Sequence, residues 1–440
     1  MKFRKLFAVL GMSLLLFSES LIVKADPGSW PQGPGVDSES AIVMDADSGA
    51  ILYAKNIDDQ HYPASITKVL TALVALENNE LTDIVTVQYE DISFLEYGDA
   101  HIGLKVGEEI TMEDALYAVL LESANEAAHA VASNTEGGYE NFLKLMNDKA
   151  KELGCKNSNF TNTNGLHDEN HYTSVRDMAL IASAAFQNDT FMEITGTMTY
   201  KIPTTNLTDV ERWATQNHKM RIDWEQHYFE YCVGGKTGYT DQARNTLVSL
   251  VEKDGTRLVS VVMRAPGNQY AYTNSRAILD YALENFSKTP VTLEMVGDEE
   301  IQSLDKNAYV ILPADVNFED LTCEKQNGQL IYYYGERTVG KIDFTEVEPE
   351  PEIEDSPSGQ SNKKTEKKDS GGFKSTMAKI GRVLLTVFLV IVGLAVAGYL
   401  FLAGYAVYRR KQRKKRRAEM RKKKRDSEYR RYLKEMDEQK

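Results

Sequence analysis

A chain of 440 residues, 42% of them hydrophobic, has room for a sizeable core and for two or three domains. Its net charge of −14 argues against a nucleic-acid partner, and three cysteines, Cys155, Cys232 and Cys323, exclude a disulfide-built scaffold, because at least one is unpaired and at most one pair can form. The charge is also uneven: residues 409–440 hold 17 Lys/Arg against 6 Asp/Glu, so the two ends of the molecule face different environments.

At the N-terminus Lys2, Arg4 and Lys5 precede an apolar run from Leu6 to Phe17, and Val23-Lys24-Ala25 offers small residues for cleavage. Residues 1–25 therefore read as a secretory signal peptide, since a dozen apolar residues fall short of the ~20 that a membrane span needs. Past a Gly/Pro/Ser-rich lead-in, Ala41 to Met44 and Ala50 to Tyr53 form an expected strand pair turned at Asp47-Ser48-Gly49.

The stretch Tyr62-Pro63-Ala64-Ser65-Ile66-Thr67-Lys68 then opens a helix marked by Leu70, Leu73, Val74 and Leu76. Ser65 falls in its first turn, and residues three apart share a helix face, so the Ser65 hydroxyl and the Lys68 amine can meet as nucleophile and base. A first-turn N–H has no partner inside the helix and can face the negative charge of an attacked carbonyl oxygen.

Helical stretches follow at Met112 to Leu121, Glu126 to Ser133, Tyr139 to Leu153 and Ser174 to Phe186. Ser123-Ala124-Asn125 breaks the first two, where a short turn can point polar side chains into a cleft. His167 and His171 have a zinc-like spacing, but Gly165 and the run Asp168-Glu169-Asn170 make that segment a loop with no third ligand apparent, so no metal is expected. Gly235-Lys236-Thr237-Gly238 opens a strand region, in which Thr246 to Val251 and Leu258 to Met263 make a hairpin about Lys253-Asp254-Gly255. A helix from Ser275 to Phe286 closes this unit. Strands at both ends with helices between them predict an α+β domain over 37–287, its terminal strands sharing one antiparallel sheet.

Residues 290–346 read as a small all-β domain, with strands at Ala308 to Leu312 and Leu330 to Tyr334 and a turn at Asn327-Gly328. Residues 347–375, rich in Glu, Pro, Ser and Lys, read as a disordered linker. Val383 to Tyr408 is 26 residues without a charge, followed at once by Arg409-Arg410-Lys411, which predicts one C-terminal transmembrane helix with its basic tail, 409–440, in the cytoplasm and the rest of the mature chain outside the cell. That tail would meet anionic lipid or a cytoplasmic partner.

In the order Ser-x-x-Lys, Ser-x-Asn, Lys-Thr-Gly, the three motifs at Ser65, Ser123 and Lys236 form the set of penicillin-interacting serine enzymes. Together with Gly165-Leu166-His167, Tyr172 to Ala179 and Lys236 to Asp241, they make the chain resemble the D-alanyl-D-alanine carboxypeptidases of the low-molecular-mass penicillin-binding-protein family. The resemblance covers about 37–287 and departs in two places. Arg244 stands where Gly is expected after Ala243, and the second domain is short for the family.

The resemblance implies a penicillin-binding, β-lactamase-like transpeptidase fold and a stem peptide of peptidoglycan, ending in D-Ala-D-Ala, as substrate, with β-lactams as covalent inhibitors and no cofactor. It implies Ser65 as nucleophile, Lys68 as base and Ser123 as proton relay. Asn125, Lys236, Thr237 and Gly238 would bind substrate, and the backbone N–H groups of Ser65 and Tyr239 would form the oxyanion hole. A serine β-lactamase shares the motifs but needs a deacylating Glu followed closely by Asn, and Glu169-Asn170 has the wrong spacing. A further alternative is a penicillin-binding sensor that signals through the basic tail.

Overall fold

The computed structural model describes residues 30–346. The proposed signal peptide, linker, membrane span and basic tail all lie outside them, and among the described residues no helix is long and apolar enough to cross a membrane.

The chain begins with β1 (Ser40–Asp45) and β2 (Ile51–Lys55), an antiparallel pair. Helix α1 (Lys68–Asn78) follows a 3-10 turn at Ala64–Thr67. Strand β3 (Ile84–Thr86) pairs with β4 (Glu109–Thr111) across α2 (Tyr89–Ile92). A helical block continues with α3 (Met112–Leu121), α4 (Asn125–Asn134), α5 (Gly138–Glu152), α6 (Val175–Phe186) and α7 (Asp189–Gly196). The hairpin of β5 (Thr199–Ile202) and β6 (Arg212–Thr215) leads to three long strands, β7 (Cys232–Thr240), β8 (Arg244–Lys253) and β9 (Thr256–Ala265), and to α8 (Asn268–Asn285).

The central sheet is antiparallel with order β2-β1-β9-β8-β7, so the first strands of the domain pair with its last. Both of its faces are covered. Ile42 and Met44 of β1, with Val259, Val261 and Met263 of β9, face the helical block, while Ala41, Val43, Leu258 and Val262 face α8 through Ala271, Tyr272, Ile278 and Leu279. That two-sided burial is why these strands read as continuous apolar runs and not as alternating ones.

Residues 286–346 carry a pair formed by β10 (Phe286–Pro290) and β12 (Tyr309–Pro313), with α9 (Leu293–Val296) between them in the chain. A second sheet has order β11-β15-β14-β13, built from β11 (Ile301–Leu304), β13 (Thr322–Gln326), β14 (Gln329–Tyr334) and β15 (Arg337–Glu346). Asn327 and Gly328, at φ +52° and +76°, make the tight turn from β13 to β14. This segment meets the sheet edge through the Tyr309 hydroxyl, which donates to Asp45 Oδ1 at 2.8 Å.

Several boundaries differ from expectation. Ser65 lies in the 3-10 turn ahead of α1 and not in the α-helix itself. Helix α8 starts at Asn268, seven residues before Ser275, because Asn268, Gln269, Thr273 and Asn274 flank the short apolar stretch Tyr270 to Tyr272 and obscure its period. Arg244 has φ +56°, the left-handed conformation that glycine adopts most easily, so this chain holds an arginine where the backbone suits the glycine of the family pattern. All three cysteines are free thiols.

Candidate active site

The nucleophile motif is held from both sides through its backbone. His61 exchanges both backbone hydrogen bonds with Thr173 (2.8 and 2.9 Å), and the Pro63 carbonyl accepts from Thr246 Oγ1 of β8 at 2.8 Å. Ala64 then takes φ +52°, a left-handed value that lets the chain turn sharply into the 3-10 segment. Two glycines make room for that turn. A Cβ on Gly165 would stand 1.9 Å from the Ala64 carbonyl oxygen, and one on Gly238 would stand 2.9 Å from the Ser65 nitrogen and 2.4 Å from Thr246 Oγ1. The absent side chain at Gly238 thus seats β7 against the nucleophile turn. This packing demand stands beside the substrate-binding role that the resemblance implies for Gly238.

Thr67 Oγ1 donates to the Ala64 carbonyl (2.8 Å) and meets His171 Nε2 (2.8 Å), while His171 Nδ1 accepts from the Thr161 N–H (3.0 Å). With both ring nitrogens engaged and burial lowering its pKa to about 4, His171 is a neutral structural brace for the turn.

Lys68 is fully buried. Its Nζ donates to Asn125 Oδ1 (2.7 Å) and to the Asn164 carbonyl (2.7 Å), and lies 3.1 Å from Ser65 Oγ. Burial, and then the nearby Lys236 cation, hold its pKa well below the usual lysine value, against the opposing fields of Glu126 and Asp99. A neutral amine has two N–H bonds and one lone pair. With its N–H bonds on the two carbonyl oxygens, a neutral Lys68 would present that lone pair to the Ser65 hydroxyl.

Ser123 sits at φ +60° in the turn between α3 and α4, lines the cleft and is 8% exposed. The turn is fixed by the Asn125 N–H, which donates to the Ala100 carbonyl at 2.8 Å. Lys236, in the middle of β7, is 1% exposed, and burial lowers its pKa to about 7. Its Nζ donates to the Thr237 carbonyl at 3.2 Å, and Thr237 Oγ1 donates to Asn217 Oδ1 at 3.4 Å. Tyr239, beyond Gly238, is exposed at the cleft rim with its hydroxyl on Asp241 Oδ1 at 3.1 Å.

The residues assigned to catalysis and substrate binding from the sequence therefore converge. Ser65, Ser123, Asn125, Thr237, Gly238 and Tyr239 line one cleft of about 990 Å³, with Lys68 and Lys236 buried among them. Asn164 was missed, because it acts through its backbone carbonyl. The available signal was the Asn162-Thr163-Asn164-Gly165 turn, in which Asn162 Oδ1 accepts from the Gly165 N–H at 2.7 Å. Glu169 and Asn170 are exposed and do not line the cleft, so neither stands where a deacylating base would be needed. Among the described residues no group of His, Cys, Asp or Glu is arranged to hold a metal.

A serine on a buried lysine, in a cleft between an antiparallel sheet and a helical block, defines a serine peptidase of the penicillin-binding type. The model of the D-alanyl-D-alanine carboxypeptidase family matches residues 28–267, and the chain belongs to that family. The chain is similar to the D-alanyl-D-alanine carboxypeptidase DacF of Bacillus subtilis, with 31% identity over 288 residues, 64% of this chain and 71% of the relative. The DacA enzyme of Haemophilus influenzae is 32% identical over 284 residues, 62% and 70% of the two chains. Among solved structures, a D-alanyl-D-alanine carboxypeptidase from Mycobacterium tuberculosis superposes with TM-score 0.53 at 28% identity, covering 59% of this chain and 96% of its own. The DD-transpeptidase of Streptomyces K15 gives 0.52 at 25%, covering 58% and 100%.

Proposed function

We propose that this protein is a membrane-anchored carboxypeptidase that removes the terminal D-alanine from peptidoglycan stem peptides through an ester on Ser65, and that β-lactams acylate the same oxygen. The observation that carries this reading is the Lys68 amine, buried, hydrogen-bonded to two carbonyl oxygens and aimed at Ser65 Oγ 3.1 Å away. Ser65 Oγ bonds to the carbonyl carbon of the penultimate D-alanine as its proton passes to Lys68 Nζ. The oxyanion is held by the N–H groups of Ser65 and Tyr239. As the C–N bond breaks, Ser123 hands its proton to the departing amine and takes the one held by Lys68, which is thereby neutral again, and water later hydrolyses the ester to give back the Ser65 hydroxyl and a free carboxylic acid.

Asn125 holds the substrate amide as well as Lys68. Lys236 and Thr237 bind the free carboxylate, whose charge restores the proton that burial makes Lys236 hold weakly, and this favours cleavage at a chain end. Strand β7, with Gly238 in it, is the terminal strand of the sheet and leaves its outer edge to an extended peptide. In this reading residues 1–25 are a signal peptide, 37–287 the catalytic domain, 290–346 a small β domain, 347–375 a linker, 383–408 a single span and 409–440 a cytoplasmic tail on anionic lipid.

The test uses detergent-solubilised full-length protein and a peptide ending in D-Ala-D-Ala. Free D-alanine should appear, prior penicillin should stop it with one mole bound per mole of protein, and Ser65→Ala should lose both properties, with turnover down by about 10⁴-fold or more. Release that survives Ser65→Ala would overturn the mechanism. A chain ending before residue 383 that stayed in the membrane fraction would overturn the anchor.

A further inference from the structure

Glu126 follows Asn125 at the start of α4 and is fully buried. One carboxylate oxygen, Oε1, accepts from the backbone N–H groups of Ile102 (2.8 Å) and Gly103 (3.1 Å). The other, Oε2, is buried with no hydrogen-bond partner among the described residues. Just upstream, the Ala100 carbonyl accepts from the Asn125 N–H. These bonds fasten the end of the segment Phe94 to Ala100, which forms one wall of the cleft, to the turn that carries Ser123 and Asn125. A carboxylate that only needed to tie down two N–H groups would do so more cheaply at the surface, because an unpaired buried oxygen is costly.

The charged and titratable groups that face Lys68 are few: Lys236 from β7, Asp99 from the cleft wall, Glu126 from α4, and the neutral His171. When Ser65 gives up its proton, Lys68 becomes an ammonium close to Lys236, and that repulsion raises the barrier. We propose that Glu126 is a positioning residue for acyl transfer: its carboxylate pins the cleft wall through Ile102 and Gly103, and its charge offsets the Lys236 repulsion of the Lys68 ammonium formed when Ser65 is deprotonated. The inference rests on the reading of Lys68 as the base.

Its test is the pH profile of kcat/KM for D-alanine release from the same peptide by solubilised full-length enzyme. Glu126→Gln keeps an oxygen for Ile102 and Gly103 and removes the charge. Its acid limb should move down by about one pH unit and its plateau fall by roughly tenfold, with the melting temperature unchanged. An acid limb at the wild-type position would overturn the electrostatic role. Glu126→Asp keeps the charge but falls one methylene short of the wall; its limb should stay in place while the plateau drops by about threefold. Wild-type behaviour in that variant would overturn the pinning, and it decides the matter if Glu126→Gln does not fold. Lys68→Ala separates the two levels of the argument. If it still releases D-alanine, the base assignment fails, whereas an inactive Lys68→Ala beside an unmoved Glu126→Gln sinks this inference alone.

Discussion

The catalytic body and the β-rich segment that follows it bury different things. Between Ser40 and Ser275 the interior includes Lys68, Lys236, Asn125, Glu126, His171 and His218, most of them around one cleft. Between Phe286 and Glu346 the buried residues are Val291, Val310, Leu312, Leu330, Tyr332, Ile342 and similar neighbours, with no polar or charged side chain buried among them. The second region is packed as a stable body should be. The first holds groups that water would solvate better, and it holds them around Ser65, the proposed nucleophile.

The sharpest way to break this contrast is to move the nucleophile without touching its chemistry. Gly165→Ala would place a methyl 1.9 Å from the Ala64 carbonyl at φ +84°. The turn must shift, and D-alanine release is expected to fall by about 10²-fold or more while far-UV circular dichroism keeps its native shape. In the β-rich segment a mutation of similar severity should leave chemistry alone. Leu330→Ala, at a site 1% exposed, should cost about 2–5 kcal/mol in urea unfolding of that segment, with kcat/KM unchanged.

The buried lysine of the catalytic body also weighs on its stability. Lys236 loses its proton near pH 7 when folded and near 10.5 when unfolded, so across that window the unfolded chain holds more protons and stability rises with pH. Lys236→Met removes the burden of a buried cation. It should be more stable than the parent by about 1 kcal/mol or more at pH 6, with the gap closing toward pH 10, and it should bind a carboxylate-ended peptide poorly. Equal melting curves at pH 6 would show that the lysine is better solvated than its burial implies.

Much of this was legible in the chain because the chemistry lies in side chains at fixed short spacings. Ser-x-x-Lys needs only one helical turn to bring its ends together, and the 3-10 geometry at Ala64–Thr67 serves as well as an α-helix. Helices α3 to α6 and strands β8 and β9 showed through their apolar period and their length. Strand β7 did not, since Cys-Val-Gly-Gly-Lys-Thr-Gly-Tyr-Thr has no apolar alternation, and only the motif marked it. The hairpin of β5 and β6 and helix α7 were missed because their half-exposed residues give little pattern. The Asn164 carbonyl on Lys68 was marked only by the turn-forming run Asn162 to Gly165, for a backbone acceptor leaves no trace in its own residue type. Glu126 was visible only as a helix-start residue, and its burial is a property of the fold.

The strand order β2-β1-β9-β8-β7 also has a consequence in time. Ser40 pairs with Met263, and the nucleophile turn at Ala64–Thr67 leans on β7 and β8 through Gly238 and Thr246. Such distant pairings form slowly, because a long loop must close before any contact rewards it. The Ser65 turn is therefore without its seat until the chain past Thr246 has arrived. A ribosome-bound or clipped chain that stops short of that strand carries all of the Ser-x-x-Lys motif and none of the reactivity proposed for it.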